Sequence, residues 1–528
     1  MKTSCVGRVL APPRLGMVLV IWMACAVGLS AGAVQSATAD ADSPGIIDIS
    51  APGQATNIPT AENDVGPTLL LSTVLDRSAT HFPAILEALA KRRAAQGTLQ
   101  ASRGAFDLVF EADGYDRVTG FWTGQIVNTN VTKQLRPFGA KVYGGYRRSN
   151  GFFPIYEDIN FTNDGGEFKI GGLFSLLRDR KIDDRRFGER DAALAIAEQD
   201  FEVLLTRVGV QHKALLAYWR WVAAGHQLDV YEELLALART RQSGLDEQVR
   251  QGARAAIFLT ENRQNLLRRE RLTADAGRTL DLAANRLSFY LRDRSGYPIL
   301  PRRDQLPSRA LWQEFLDEIA QAGGAQGLLA ADAIPAILNQ RPELNILRVA
   351  LNRADLKVTL GENELKPRFD LSAEVSRDVG AIAEGGVSRD STDTIIGFRF
   401  SVPLERREAR GKINRAKAER EALRQQRRLK QDEIEIELRE ILINLTVAGQ
   451  LASLAEDEVV QARTMQEAER IRFRSGASDF FLVNIREEAA ADAQIRYFLA
   501  ALETNIARAN FDAATINLDR LGLEESYR

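Results

Sequence analysis

The sequence predicts a mainly α-helical fold in which long helical hairpins accompany a transmembrane β-barrel, and three observations carry that prediction. The first residues form an export signal, and no second apolar span follows it. Short alternating segments occur in pairs, once in each half of the chain. Two very long helical patterns are each broken once, at Arg250-Gln251-Gly252-Ala253 and at Arg474-Ser475-Gly476-Ala477. The 528 residues carry a net charge of −2, without the basic excess of a nucleic-acid-binding protein.

Residues 1–33 read as a signal peptide. Lys2, Arg8 and Arg14 precede the apolar stretch 15–29, and Ala31-Gly32-Ala33 or Ala37-Thr38-Ala39 suits cleavage. A lipoprotein signal using Cys25 is the alternative. Cys5 and Cys25 are the only cysteines, so cleavage leaves no disulfide to support the fold. An exported chain with no further apolar run either stays soluble or crosses a membrane as a β-barrel. Residues 34–66 are rich in Ala, Asp, Pro and Gly and read as a flexible leader.

Beyond the leader the chain reads as a duplication, with one repeat over 67–291 and a second over 334–521. Phe106-Asp107-Leu108 recurs as Phe369-Asp370-Leu371, and IGGLFS (170–175) recurs as IGFRFS (396–401). Each FDL follows a helical stretch that starts near a proline, Pro83 or Pro342. In the second repeat Phe369, Leu371, Ala373 and Val375 alternate with polar residues, and so do Ile396, Phe398, Phe400 and Val402. The first repeat matches with Phe106, Leu108, Phe110 and Ala112, then Phe168, Ile170, Gly172 and Phe174. Period two over about ten residues suits a tilted barrel strand, although a soluble sandwich strand alternates in the same way. The first pair is spread much wider than the second. Its interior is strand-like at 138–147, which is read as an extracellular loop or an extension of the first strand.

The helical patterns favour the barrel. From Arg407 to Arg474 there is no proline, and Ile434, Leu438, Ile441 and Leu445 begin a seam of period 3.5 that Ala448, Ala452, Ala455, Val459 and Ala462 continue. A second row, Ile436, Ile443, Val447 and Leu454, lies about 200° around the helix. One seam makes a dimeric coiled coil; two opposed edges suit a stave in a ring of helices. The matching helices run from about 181 to 249 and 255 to 291, and from 407 to 474 and 478 to 519. A glycine at matched positions in each reads as a turn with positive φ. Residues 292–333 join the repeats and contain Pro298, Pro301 and Pro307, with one short helical pattern near 308–321; 522–528 form a tail.

These residues together resemble the TolC-like outer-membrane efflux channels. The likeness rests on RPELNILRVALNRADLKVTLGENELKPRFDL (341–371), on the strand-to-helix steps LLRDRK (176–181) and VPLERRE (402–408), and on FRSGASDFF (473–481). The resemblance implies a homotrimer in which each copy gives four strands to a shared 12-stranded barrel in outer-membrane lipid. Its helices would form a tunnel in the periplasm, with 292–333 as an equatorial belt. The turns would form the periplasmic tip, where Arg250, Gly252, Ala253, Arg474, Gly476, Ala477 and Ser478 meet a periplasmic adaptor protein serving an inner-membrane pump. The implied function is a passive exit duct of a tripartite efflux or type I secretion system. Family members often carry an acid in an L-D-V-L step at the entrance. Here Phe480-Phe481-Leu482-Val483-Asn484 stands instead, and the nearby Asp479 is either a pore-entrance acid or the N-cap of the returning helix.

No catalytic constellation, cofactor motif or metal site is expected. His81, His212 and His226 are scattered, and Gly411-Lys412 lacks the rest of a phosphate loop. Tyr218-Trp219-Arg220-Trp221 reads as packing between staves. Two other functions compete: a periplasmic adaptor, which has one hairpin flanked by compact β domains, and a structural coiled-coil protein of the envelope.

Overall fold

The computed structural model describes residues 66–310, 333–384 and 389–524. The expected signal peptide, nearly all of the leader, most of the helical pattern at 308–321 and residues 525–528 lie outside them. Two helices open the described chain, α1 (Leu71–His81) and α2 (Pro83–Gly104). Four strands follow: β1 (Leu108–Asp116), β2 (Gln125–Gln134), β3 (Lys141–Asn150) and β4 (Glu167–Ser175). The first hairpin is α3 (Asp184–Arg250) with α4 (Ile257–Ser288). Then come α5 (Ala333–Gln340), α6 (Pro342–Glu364), β5 (Arg368–Asp378) and β6 (Thr392–Ser401). The second hairpin is α7 (Arg407–Arg474) with α8 (Phe480–Ala514).

Local chemistry sets the helix boundaries. Pro83 and Pro342 begin α2 and α6, where a missing N–H costs nothing. The Asp183 carboxylate caps α3 by accepting from the Arg186 N–H at 2.9 Å. At 67 residues α3 runs about 100 Å. The four long helices begin and end within a few residues of their sequence-predicted bounds.

The main core surrounds the middle of α3. Tyr218, Trp219 and Trp221 are buried there with Leu280 and Leu287 of α4 and Ile495 and Phe498 of α8. Side chains of this size contribute about 1.5–3 kcal/mol each when fully buried. The aromatic cluster is therefore packing, as expected, and the Tyr218 hydroxyl donates to the Leu69 carbonyl at 3.1 Å. His226 stacks on Phe498, and His212 bonds Asn510, so both serve the helix packing. The α7 seam packs as its spacing predicts: Ile434, Leu438, Ile441 and Leu445 are buried with Phe511 of α8 and Leu344 of α6. Its second row, Ile436, Ile443, Val447 and Leu454, is exposed in the single chain. Arg353 of α6 clamps α3, bonding both Asp191 oxygens at 2.8 and 2.9 Å and Glu198 at 2.6 Å. The described part of the linker lies on α3 as well. There Arg303 pairs with Asp229 and Glu232, and Leu306 fills the space above Gly225.

The six strands of the described residues join one antiparallel sheet in the order β1-β2-β3-β4-β5-β6. Four strands per chain were expected; among the described residues there are six. The segment read as a loop or strand extension is β3, paired along both edges, and β2 was not anticipated at all. An inserted hairpin keeps the strand number even, so the chain still returns to α3 on the side from which it left α2. Phe106, expected in the first strand, precedes it; it is buried, with the Arg136 guanidinium 4.5 Å above its ring. The β4–β5 ladder, from Glu167↔Asp378 to Ser175↔Asp370, joins the two halves of the chain.

Candidate functional site

Two features stand apart from ordinary packing: the sheet, and the paired turns at the ends of the hairpins. In an antiparallel ladder directly opposed residues share a face. The register therefore sorts the sheet into two sides. One side carries Leu108, Phe110 and Ala112 of β1, opposed to Lys133, Val131 and Thr129 of β2. It continues through Val142, Gly144 and Tyr146 of β3 to Gly172, Ile170 and Phe168 of β4. It ends on Leu371, Ala373 and Val375 of β5, opposed to Phe398, Ile396 and Thr394 of β6. The other side carries Glu111 and Asp113, Asn128 and Asn130, Arg147, Lys169, Asp370 and Glu374, and Arg399.

The apolar side is open. Phe398 is 75% exposed, Ile396 74%, Ile170 68% and Phe110 67%. A contiguous apolar face of this extent is not left in water. Strands of nine to eleven residues have the length that spans a hydrocarbon layer when tilted. Among the described residues no helix is long and apolar enough to do so. The polar side carries cross-strand ties: Arg147 pairs with Glu167 at 2.5 Å, and Ser175 bonds Asp370 at 2.9 Å.

The turns are built identically. After α3, Gly252 N–H bonds the Val249 carbonyl at 3.0 Å and Ala253 N–H bonds Gln248 at 2.9 Å. After α7, Gly476 N–H bonds Phe473 at 3.1 Å and Ala477 N–H bonds Arg472 at 2.8 Å. Both are Schellman turns, which need a left-handed residue at the glycine position, and the glycines take φ of +66° and +74°. The structure brings the two turns together. Arg254 lies over the rings of Phe258 and of Phe473, from the other hairpin, and Arg241 lies over Phe480. Asp479 is the N-cap of α8, accepting from the Leu482 N–H at 2.7 Å. Ser478 bonds the buried Glu469. Arg250 and Arg474 are exposed and pair within their own helices, with Glu247 and Glu467.

A charged joint behind the turns escaped sequence reasoning. Glu487 of α8 is 1% exposed and meets Arg241 of α3, Arg269 of α4 and Arg470 of α7. One carboxylate thus links all four long helices. Burial pushes the Arg269 guanidinium below its usual pKa, and Glu487 opposes that shift. The signal in the sequence is positional: Glu487 follows Phe480, Val483 and Asn484 at helical spacing on the buried face of α8.

Comparison with known proteins follows the same lines. Residues 333–520 match the family described as outer membrane efflux protein. No match was found among curated protein sequences. Several solved structures share the fold. The outer-membrane channel OprN is 12% identical with a TM-score of 0.56, over 84% of this chain and 89% of that one. The Campylobacter jejuni CmeC outer membrane channel is 14% identical with a TM-score of 0.55, over 87% and 90%. The outer membrane protein VceC of Vibrio cholerae is 14% identical with a TM-score of 0.56, over 84% and 95%. These likenesses extend the fold over both halves, while the sequence match lies in the second. With its apolar sheet face and twin helical hairpins, the chain shares the fold of these outer-membrane channels, and within its second half residues 333–520 match the outer membrane efflux protein family.

Proposed function

We propose that three copies of this chain form a passive exit duct, the outer-membrane component of a tripartite efflux or type I secretion system. The observation that carries this reading is the apolar sheet face together with its two open edges, β1 and β6, each with one neighbour among the described residues. In hydrocarbon, backbone N–H and C=O groups along an open edge lack any partner, so further copies must supply the missing ladders. The exposed second row on α7 supports the same reading, since it gives the helix a second apolar edge for a neighbouring copy.

The turns at Gly252 and Gly476 then face the periplasm at the far end of the helices. Arg250, Gly252, Ala253, Arg474, Gly476, Ala477 and Ser478 form the surface on which the helical tips of a periplasmic adaptor dock, and an inner-membrane pump supplies cargo and energy. Small residues at each turn let a partner helix approach the backbone closely. Negative-stain imaging of protein extracted by detergent from outer membranes tests the assembly. Threefold particles roughly 130–140 Å long are expected from a ~100 Å tunnel and a barrel of membrane depth. Monomers or soluble elongated dimers would overturn it.

A further inference from the structure

We infer that the shared barrel of this protein contains eighteen strands, six from each of three copies, and that its outer-membrane bore is correspondingly wide. The inference rests on the trimer proposed above and concerns the hairpin β2–β3, which twelve-strand closure does not accommodate.

The hairpin is an interior part of the wall. β2 pairs with β1 from Leu108↔Lys133 to Asp116↔Gln125, and with β3 from Gln125↔Asn150 to Gln134↔Lys141. β3 in turn pairs with β4 from Lys141↔Leu173 to Arg147↔Glu167. Removing the hairpin from the wall would break two full ladders and require a new one between β1 and β4.

Its two faces agree with their neighbours. Val127 and Val131 of β2 and Val142 and Tyr146 of β3 lie in register with Phe110 on one side and Phe168 and Ile170 on the other. Tyr146 and Phe168 are in ring contact at 4.8 Å. Lys133 and Arg148 sit near opposite ends of this face, where long cationic side chains reach the interfaces. Asn128, Asn130 and Thr132 face the polar side. A hairpin lying free outside the membrane would need no such alternation.

A strut ties the hairpin to the second half of the chain. On the polar side the Tyr143 hydroxyl of β3 donates to Glu374 of β5 at 2.6 Å. It crosses β4 at Gly171, where a Cβ would stand 2.5 Å from the Tyr143 ring. The missing side chain makes room for the strut.

Closure follows from direction. β1 and β6 run opposite ways in one antiparallel sheet, so β6 of one copy can continue antiparallel into β1 of the next. With strands about 4.8 Å apart and tilted about 40°, eighteen strands give a wall about 36 Å across, against about 24 Å for twelve. Side chains take roughly 5 Å from each wall, half of a sheet-to-sheet spacing. The bore is then about 26 Å instead of about 14 Å, wide enough for hydrated solutes that a twelve-strand barrel excludes.

Cryo-electron microscopy of the full chain in lipid nanodiscs tests this directly. Three copies surrounding eighteen strands are expected. Three copies around twelve strands, with β2–β3 outside the wall, would overturn the inference and leave the trimer standing. Two copies closing twelve strands would overturn the trimer, and the wide wall with it. A second measurement needs no image. In liposomes, a fluorophore on Val131→Cys is expected to lose its emission to nitroxide-bearing lipid, while one on Asn130→Cys responds to aqueous iodide. Equal quenching of both by iodide would place the hairpin in water and overturn the inference.

Discussion

The first half of the chain enters the sheet at Leu108 and leaves it at Ser175 after four strands; the second enters at Arg368 and leaves at Ser401 after two. Both halves then run through a helix of nearly equal length into the same Schellman turn. The tips are the same where the sheets differ. A helix end leaves carbonyls to satisfy and a chain to reverse, and a left-handed glycine is the local solution to both. A sheet constrains its strand number only through parity and closure, so a whole hairpin can be added without disturbing the helices that follow.

The largest expected effect strikes the joint where the halves meet. Glu487→Ala would leave Arg241, Arg269 and Arg470 around an empty site, at a cost of about 3–5 kcal/mol for a buried charge deprived of its partner. The thermal midpoint of the helical signal should fall, and protease should cut near both turns. An unchanged midpoint would show that the halves do not depend on this carboxylate.

A pair of substitutions asks whether the unequal sheets face the same solvent. Val131→Arg in the added hairpin and Ile396→Arg in β6 both place a charge on the apolar side, each costing about 2–4 kcal/mol near mid-membrane. Folding yield into liposomes should fall similarly for the two. A loss with Ile396→Arg alone would separate β2 from the lipid-facing wall.

The smallest effects compare the tips. Gly252→Ala and Gly476→Ala have room for the added methyl, since no other atom lies within 4 Å of its place. Only the left-handed backbone opposes them, at about 1–2 kcal/mol each. Matching losses of stability are expected, and unequal ones would mean that the turns carry different loads in the assembly. Asp479→Asn keeps a capping side chain and removes a charge. Unaltered ion selectivity in planar bilayers would leave Asp479 as a cap alone.

Legibility followed the strength of local signals. The α7 seam is a long periodic pattern, so Ile434, Leu438 and Ile441 declared their buried side without any neighbour. β5 and β6 alternate strongly enough to read alone. β2 does not: on its apolar side Val127 and Val131 are separated by Thr129 and flanked by Gln125 and Lys133. A single barrel strand carries a weak signal, and two valines acquire a face only beside Phe110 and Val142. Arg241 and Arg269 were equally silent, because a long charged helix shows many arginines and only packing selects the few that turn inward.

By itself the sequence determined the features that depend on near neighbours: both hairpins and their glycine turns, the seam of α7, and the strands β1, β4, β5 and β6. Tertiary structure decided the number of strands, the order in which β1 and β4 are held apart, and the choice of Glu487 as the meeting point of four helices. Those outcomes join residues tens to hundreds of positions apart, where backbone preference is silent and only ladder pairing, apolar burial and the cost of an unpaired buried charge select among alternatives.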